Sequence, residues 1–542
     1  MIVGGAIIAL SQSCEDKMEE MSVNDRQIHK TERTSGGMNI SLGKKMSMPY
    51  SLKNMQAAYD SLSKENLCSS TKLEATHYYV RFLPKDSAQF AELLGDTTLV
   101  LFPTPFDMEI EGEGGDFYCD PSLPEGSITW QYTKVPVDYK FPDGIRHEIL
   151  DELYILPEFE KEKDKNALRS ESFQQKLEYA AFLTAGYIEK EETDNKPVPL
   201  RSLFSSIVSA IGRAIDPTWT PKANIMAYDD LLQRYIPLKN VKVWINHGGV
   251  WYSRNTDSNG YAKFPKCIGP VIYIIEWADS YWQIFDGYIL PAYYIGGTKR
   301  STWNLNMIGG KSLHYACIHR ALQRHMYGNN LDITRPYYLR HKIVYLDSDG
   351  TGTYLANFSG TSGGWFPDVL IYGKDSKGNR KSTTTLLGTA LHEMGHASHC
   401  LGVGYDVYWG TNEHIYESWA DAVEWALLRQ EYTELWADKN MMDRIRDSYG
   451  NQDWPNKDDK AYSSLFIDLM DDYNQRIKNE YFDISLPNDN VSGYTLKTLN
   501  SSLKYFRGLP STSNYIKKYI AKPAGVTDAK LDELFKKYDE IW

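Results

Sequence analysis

The stretch "LGTALHEMGHASHCLG", residues 387–402, constrains this chain more than any other. It places three histidines and a glutamate within eight positions. Leu387, Ala390, Leu391, Met394 and Leu401 recur at helical spacing, which predicts a helix over 384–401 with one apolar side. The Thr cluster at 383–385 is expected to cap its start and Gly402 to end it. On such a helix His392 and His396 are one turn apart and point the same way, with Cβ atoms about 6 Å from each other. Two imidazoles so placed can converge on one ion at metal–nitrogen distances of about 2.0–2.1 Å. Glu393 then projects beside the ion, where it can hold a water and take its proton. His399 lies on the same side, but about 10 Å of helix rise separates it from His392. It is expected at the surface or behind the ligands, not on the ion.

A third ligand must come from another element. "NEHIYESWADAVEW" (412–425) offers Glu413, His414, Glu417 and Asp421. Glu417 and Asp421 are spaced i, i+4 on a predicted helix over 415–435 and share a face. One can bind metal while the other accepts the free N–H of a ligating imidazole.

"HEMGH" followed by "ESWAD" resembles the gluzincin metallopeptidases, whose pattern is H-E-x-x-H and then E-x-x-x-D on a second helix. The match covers about thirty residues. It implies Zn2+ held by His392, His396 and Glu417, with Glu393 as general base and Asp421 orienting His392. It also implies a substrate laid along an edge strand before the histidine helix. "PDVLIYG" (367–373) is expected to be that strand, since Pro367 at its start suits an edge. A second donor to the developing oxyanion is expected from Tyr405, Tyr408, His414 or Tyr416. "LDSDGTGTY" (346–354) begins like a calcium loop, but position twelve of an EF-hand would be Phe358. A hairpin turn is expected there instead.

The N-terminus carries an apolar run, Ile2 to Leu10, then Cys14 and the acids Glu15, Asp16, Glu19 and Glu20. The run is too short to span a bilayer as a helix. It is similar to the end of a bacterial lipoprotein signal peptide, which implies lipid on Cys14 and a place in the cell envelope, as an outer-membrane or surface lipoprotein; the alternative is a periplasmic or secreted protein. Membrane contact would then come only through the lipid. The six cysteines are dispersed and form no CxxC pair, so neither a disulfide framework nor a zinc ribbon is expected. The formal net charge of −12, with no long basic stripe, argues against nucleic acid as partner.

Between these ends the texture changes repeatedly. Residues 1–14 read as the signal segment and 15–70 as a tether with a short helix. Residues 71–160 read as a small α+β domain and 161–232 as a helical connector. Residues 233–296 alternate apolar and polar positions through Val241, Val243 and Ile245. With "NTDSNGYAKF" they resemble a transthyretin-like β-sandwich of carboxypeptidase accessory type. Residues 297–542 read as an α+β, mostly helical, zincin-like domain. The expected function is hydrolysis of a protein or peptide substrate, glycosylated or not. The rivals are a surface-binding lipoprotein with a vestigial or structural metal site, and a zincin directed at glycoproteins.

Overall fold

The computed structural model describes residues 39–64, 71–124, 127–156, 167–187, 218–337, 340–355, 367–435, 463–478 and 486–540. Cys14 and the acids after it lie outside these. The chain mixes helices with several sheets and gathers into two compact units, each discontinuous in sequence. One takes the residues up to 225 with 242–276 and 293–305. The other takes 226–241, 277–292 and everything from 306 onward. Among the described residues, no helix is long and apolar enough to cross a membrane.

In the first unit, strand His77–Leu83 lies between Gln131–Pro136 and Arg146–Leu153, antiparallel to both. A second antiparallel sheet runs Val250–Asn255, Lys242–His247, Val271–Glu276, Tyr293–Lys299. Val243 and Ile245 are fully buried, as their alternation requires. Trp303 stacks on Tyr273 at 5.4 Å between ring centres. These two stretches of sequence share a core. Tyr79, Phe102, Phe106, Trp130 and Tyr132 cluster with Ile272, Ile274 and Ile295, and Phe102 stacks on Trp251 at 4.2 Å. The segments 71–160 and 233–296 therefore bury their apolar faces jointly. The segment limit at 296 falls inside strand Tyr293–Lys299. Residues 277–292 belong with the second unit, because Trp282–Asp286 pairs in parallel with His341–Asp349.

The second unit is built on a five-stranded mixed sheet. Its order is Leu290–Pro291, Trp282–Asp286, His341–Asp349, Val369–Lys374, Gly352–Tyr354, and the middle three strands are parallel. This corrects two expectations. Val369–Lys374 is an inner strand, and the edge on its side of the sheet, among the described residues, is Gly352–Tyr354, antiparallel to it. The turn at 350–351 thus joins two strands that pair not with each other but with the same neighbour, so it closes no hairpin.

Three long helices accompany this sheet: Gly310–Met326, the histidine helix Thr383–Val403 and the carboxylate helix Glu413–Leu435. Ser382, not the threonines after it, is the N-cap of the histidine helix and accepts the Thr385 N–H. Asp230 also accepts the Thr383 N–H at 2.8 Å, putting a carboxylate at the positive end of the helix dipole. The helix ends one turn-fraction later than expected, at Gly404, whose φ is +90°. Arg320 and Arg324 on the first long helix bind Glu431 on the carboxylate helix, and Arg320 also binds the fully buried Asp229 at 2.8 Å.

His319 is sealed in the second unit, and its Nε2–H donates to the Lys239 carbonyl at 2.9 Å. Burial lowers its pKa to about 4, against about 6.5 unfolded. The native state therefore keeps it neutral. Its contribution to stability is complete above pH 6.5 and is lost as pH falls toward 4, because the unfolded chain binds the proton first. His319→Gln retains an amide donor for Lys239. Its urea-unfolding free energy is expected to fall less steeply than the parent's between pH 6 and 4.5, by about 1.4 kcal/mol per pH unit. Equal slopes would show that His319 is protonated in the folded state.

Candidate metal centre

The histidine helix packs directly against the carboxylate helix at Gly395. A Cβ placed there would lie 3.2 Å from Ala420 Cα and 3.2 Å from Val423 Cβ. Even a methyl group at 395 would press on the carboxylate helix, and a larger side chain would push against it harder. With glycine, the backbone of one helix rests against the other, and side chains one turn to either side can meet. His392 and His396 reach across toward Glu417. Their Nε2 atoms are 3.1 Å from each other, and Glu417 Oε2 is 3.2 Å from the first and 3.1 Å from the second.

Two ring nitrogens and a carboxylate oxygen facing one another need a proton or a cation among them. Their mutual spacing is near the edge length, about 3.3 Å, of a tetrahedron with zinc bonds of 2.0–2.1 Å. The donor set of two imidazoles and one carboxylate is also one that zinc takes. These three residues could hold such an ion, leaving a fourth position for solvent.

The surroundings fix the rings. Asp421 Oδ1 lies 3.0 Å from His392 Nδ1, and Glu424 Oε2 is 3.5 Å from the same nitrogen. Asp421 thereby accepts the Nδ1 proton, so an ion that displaced the proton between Nε2 and Glu417 would meet the Nε2 lone pair. Glu417, Asp421 and Glu424 follow i, i+4, i+7, so one helix face carries all three. The sequence reading found the first two and missed Glu424, though its spacing was the available signal. Behind His396, the Tyr408 hydroxyl is 3.1 Å from Nδ1. Tyr408 sits on the short helix Tyr405–Trp409. It was expected only as one of four oxyanion donors, but it is engaged with the back of His396. Of the other three, Tyr416 packs its ring edge-on to His396, at 5.7 Å, and Tyr405 is exposed. His414 is half-buried, and burial lowers its pKa to about 4. His399 is fully buried, not at the surface, with its ring edge-on to Tyr408 at 5.2 Å.

The charges divide by environment. Burial opposes protonation of His392, but its bonds to Asp421, Glu417 and Glu424 prevail and raise its pKa well above 6.5. Burial also works to raise Glu417, yet the attraction of His396 and the hydrogen bonds from both rings bring it far below the ordinary carboxylate range. Burial carries Asp421 up to about 6. Glu393 is raised most among those with room to titrate, to about 8, chiefly by burial and against the pull of His392. The backbone N–H of Tyr354 on the edge strand acts against the effect of burial. A Cβ on Gly352 of that strand would fall 2.3 Å from Glu393 Oε1 and 2.7 Å from Thr389 Cγ2. The edge strand therefore runs directly over the glutamate because residue 352 has no side chain.

No family model matches the chain, and no curated protein and no solved structure matches it either.

The contact at Gly395 makes a direct test. Gly395→Leu is expected to push Glu417 away from both rings and weaken Zn2+ binding at least tenfold, read by competition with a chromogenic chelator. Unchanged affinity would mean that Glu417 does not hold the ion.

Proposed function

We propose that this chain is a zinc-dependent peptidase of gluzincin type. The observation that carries the reading is the convergence of His392 Nε2, His396 Nε2 and Glu417 Oε2 within 3.2 Å, with Asp421 behind His392. A zinc ion held by these three would polarise a peptide carbonyl and lower the pKa of water toward 7.

The chain's own groups supply the rest. Glu393 accepts a proton from the attacking water at its carboxylate and returns it to the leaving amine. Its raised pKa suits both directions of that transfer near neutral pH. Asp421 keeps His392 in one tautomer, and Tyr408 braces His396. An extended substrate strand added beside Gly352–Tyr354 would pass over Glu393 through backbone hydrogen bonds.

The reading extends to the rest of the chain. The mixed sheet followed by the two site helices supports a zincin-like catalytic domain. The antiparallel sheet Val250–Asn255, Lys242–His247, Val271–Glu276, Tyr293–Lys299 supports a transthyretin-like sandwich. Lipid on Cys14 and a place on the bacterial cell envelope complete the proposal, with protein or peptide, glycosylated or not, as substrate.

Two variants test the chemistry. Glu393→Gln should retain Zn2+ by elemental analysis and lose cleavage of a broad peptide library by several orders of magnitude. Persistent cleavage would exclude Glu393 as the base, and a parent protein that cleaves nothing would exclude the peptidase. Gly352→Ala should also keep its zinc while kcat/KM drops at least tenfold, because the new methyl group displaces the Glu393 carboxylate. Parental activity in that variant would remove the edge strand from the substrate path.

A further inference from the structure

A second group of carboxylates lies in the C-terminal part of the second unit, apart from the histidines. Asp468 ends the short helix Leu465–Asp468, Asp471 follows in the next turn, and Asp489 comes from the loop after 486. One oxygen from each lies within 4.8 Å of the other two. Asp468 is fully buried. Its Oδ1 accepts the Gln475 amide at 2.7 Å and its Oδ2 the Tyr538 hydroxyl at 2.6 Å. Asp489 is only 4% exposed. Its Oδ1 accepts the Val491 N–H at 2.9 Å, while its Oδ2 is enclosed with no hydrogen-bond partner. An unpartnered carboxylate oxygen in the interior is costly unless something positive meets it. Among the described residues, neither Asp468 nor Asp489 has a lysine or arginine partner.

We infer that Asp468, Asp471 and Asp489 bind one calcium ion, at a site separate from the histidine centre. The donors are all oxygen, which favours a hard cation over zinc. Oxygens within 4.8 Å of one another can share one ion at calcium–oxygen distances of about 2.3–2.6 Å. Asp471 is only partly buried, which leaves a side for solvent to enter and complete the shell.

The ion would fasten two pieces of chain directly and a third through Asp468. Asp468 already meets Tyr538 on the last helix, Asp528–Asp539. Ser464 meets the same hydroxyl at 2.9 Å. Beside it, Ser463 bonds Ser418 at 2.7 Å on the carboxylate helix. The calcium site would thus brace the helix that carries Glu417, whatever ion or reaction Glu417 serves.

The test uses the full chain, stripped with chelator and resupplied with one equivalent of Zn2+, then titrated with CaCl2. One saturable Ca2+ per chain is expected by calorimetry, with Tm rising by roughly 5 °C at 1 mM. Tb3+ should bind with luminescence sensitised through the Tyr538 ring. Asp489→Asn should weaken Ca2+ binding at least tenfold and leave the zinc content unchanged. The proposal is overturned if the parent binds neither Ca2+ nor Tb3+ saturably. It is equally overturned if Asp489→Asn binds Ca2+ as the parent does, since the ion then sits elsewhere. A third contrary result is that Asp468→Asn and Asp489→Asn each raise the Tm while Ca2+ does nothing. That pattern would mean the cluster is neutralised by bound protons.

Discussion

The absence of a side chain at position 395 sets the geometry on which the candidate centre depends. Helices packed through ordinary side chains keep their axes some 8–10 Å apart. Glu417 is a short reach, and it must meet two rings that project from consecutive turns of the neighbouring helix. The direct seating of Gly395 against Ala420 and Val423 brings the backbones close enough for that. A glycine inside a helix costs about 1 kcal/mol relative to alanine. Here the loss is offset by burial of Met394, Ala420, Val423 and Leu427 along the same seam. The Arg320 and Arg324 pairs with Glu431 then hold the far end of the carboxylate helix against Gly310–Met326.

Once the helices are seated, electrostatics assigns different work to similar groups. Glu393, Glu417, Asp421 and Glu424 are four acids within one small volume beside two imidazoles. Only Glu417 faces both rings, and it is held ionised. Asp421 faces the back of one ring, and its pKa stays below neutrality despite burial. Glu393 faces the edge strand at Gly352, and burial dominates there. A ligand must be a permanent anion and a base must exchange a proton near pH 7. The environments separate the carboxylates along that line, although the residue types alone do not.

The part of this arrangement legible in sequence is the part governed by helical period. The spacing of His392 to His396 and of Glu417 to Asp421 fixes which residues share a face, and the helices lie where the spacing put them. What escaped the sequence is what crosses space. Tyr408 comes behind His396 because the short helix Tyr405–Trp409 turns back over the ring, and nothing local encodes that turn. The edge strand was misplaced because strand order is decided by pairing partners, and Gly352–Tyr354 is too short to carry an alternation of its own. The segment limits along the chain failed to follow the compact units for the same reason. Trp282–Asp286 finds its ladder partner some sixty residues later.

The carboxylate helix is held from two sides, and the difference between adjacent residues on it explains how. Successive helical positions point about 100° apart. Glu417 faces the rings, while Ser418 and Trp419 face away, toward Ser463 and Phe466. The direction of Glu417 is therefore set jointly by the histidine helix in front and the C-terminal elements behind. Ser418, Trp419 and Phe466 are all fully buried, so that rear contact cannot slacken without opening a cavity. Loss of C-terminal packing would rotate or shift the carboxylate helix while His392 and His396, both on one continuous helix capped by Ser382 and Asp230, kept their mutual spacing. The carboxylate is thus the ligand most sensitive to distant structure, and the imidazole pair the least.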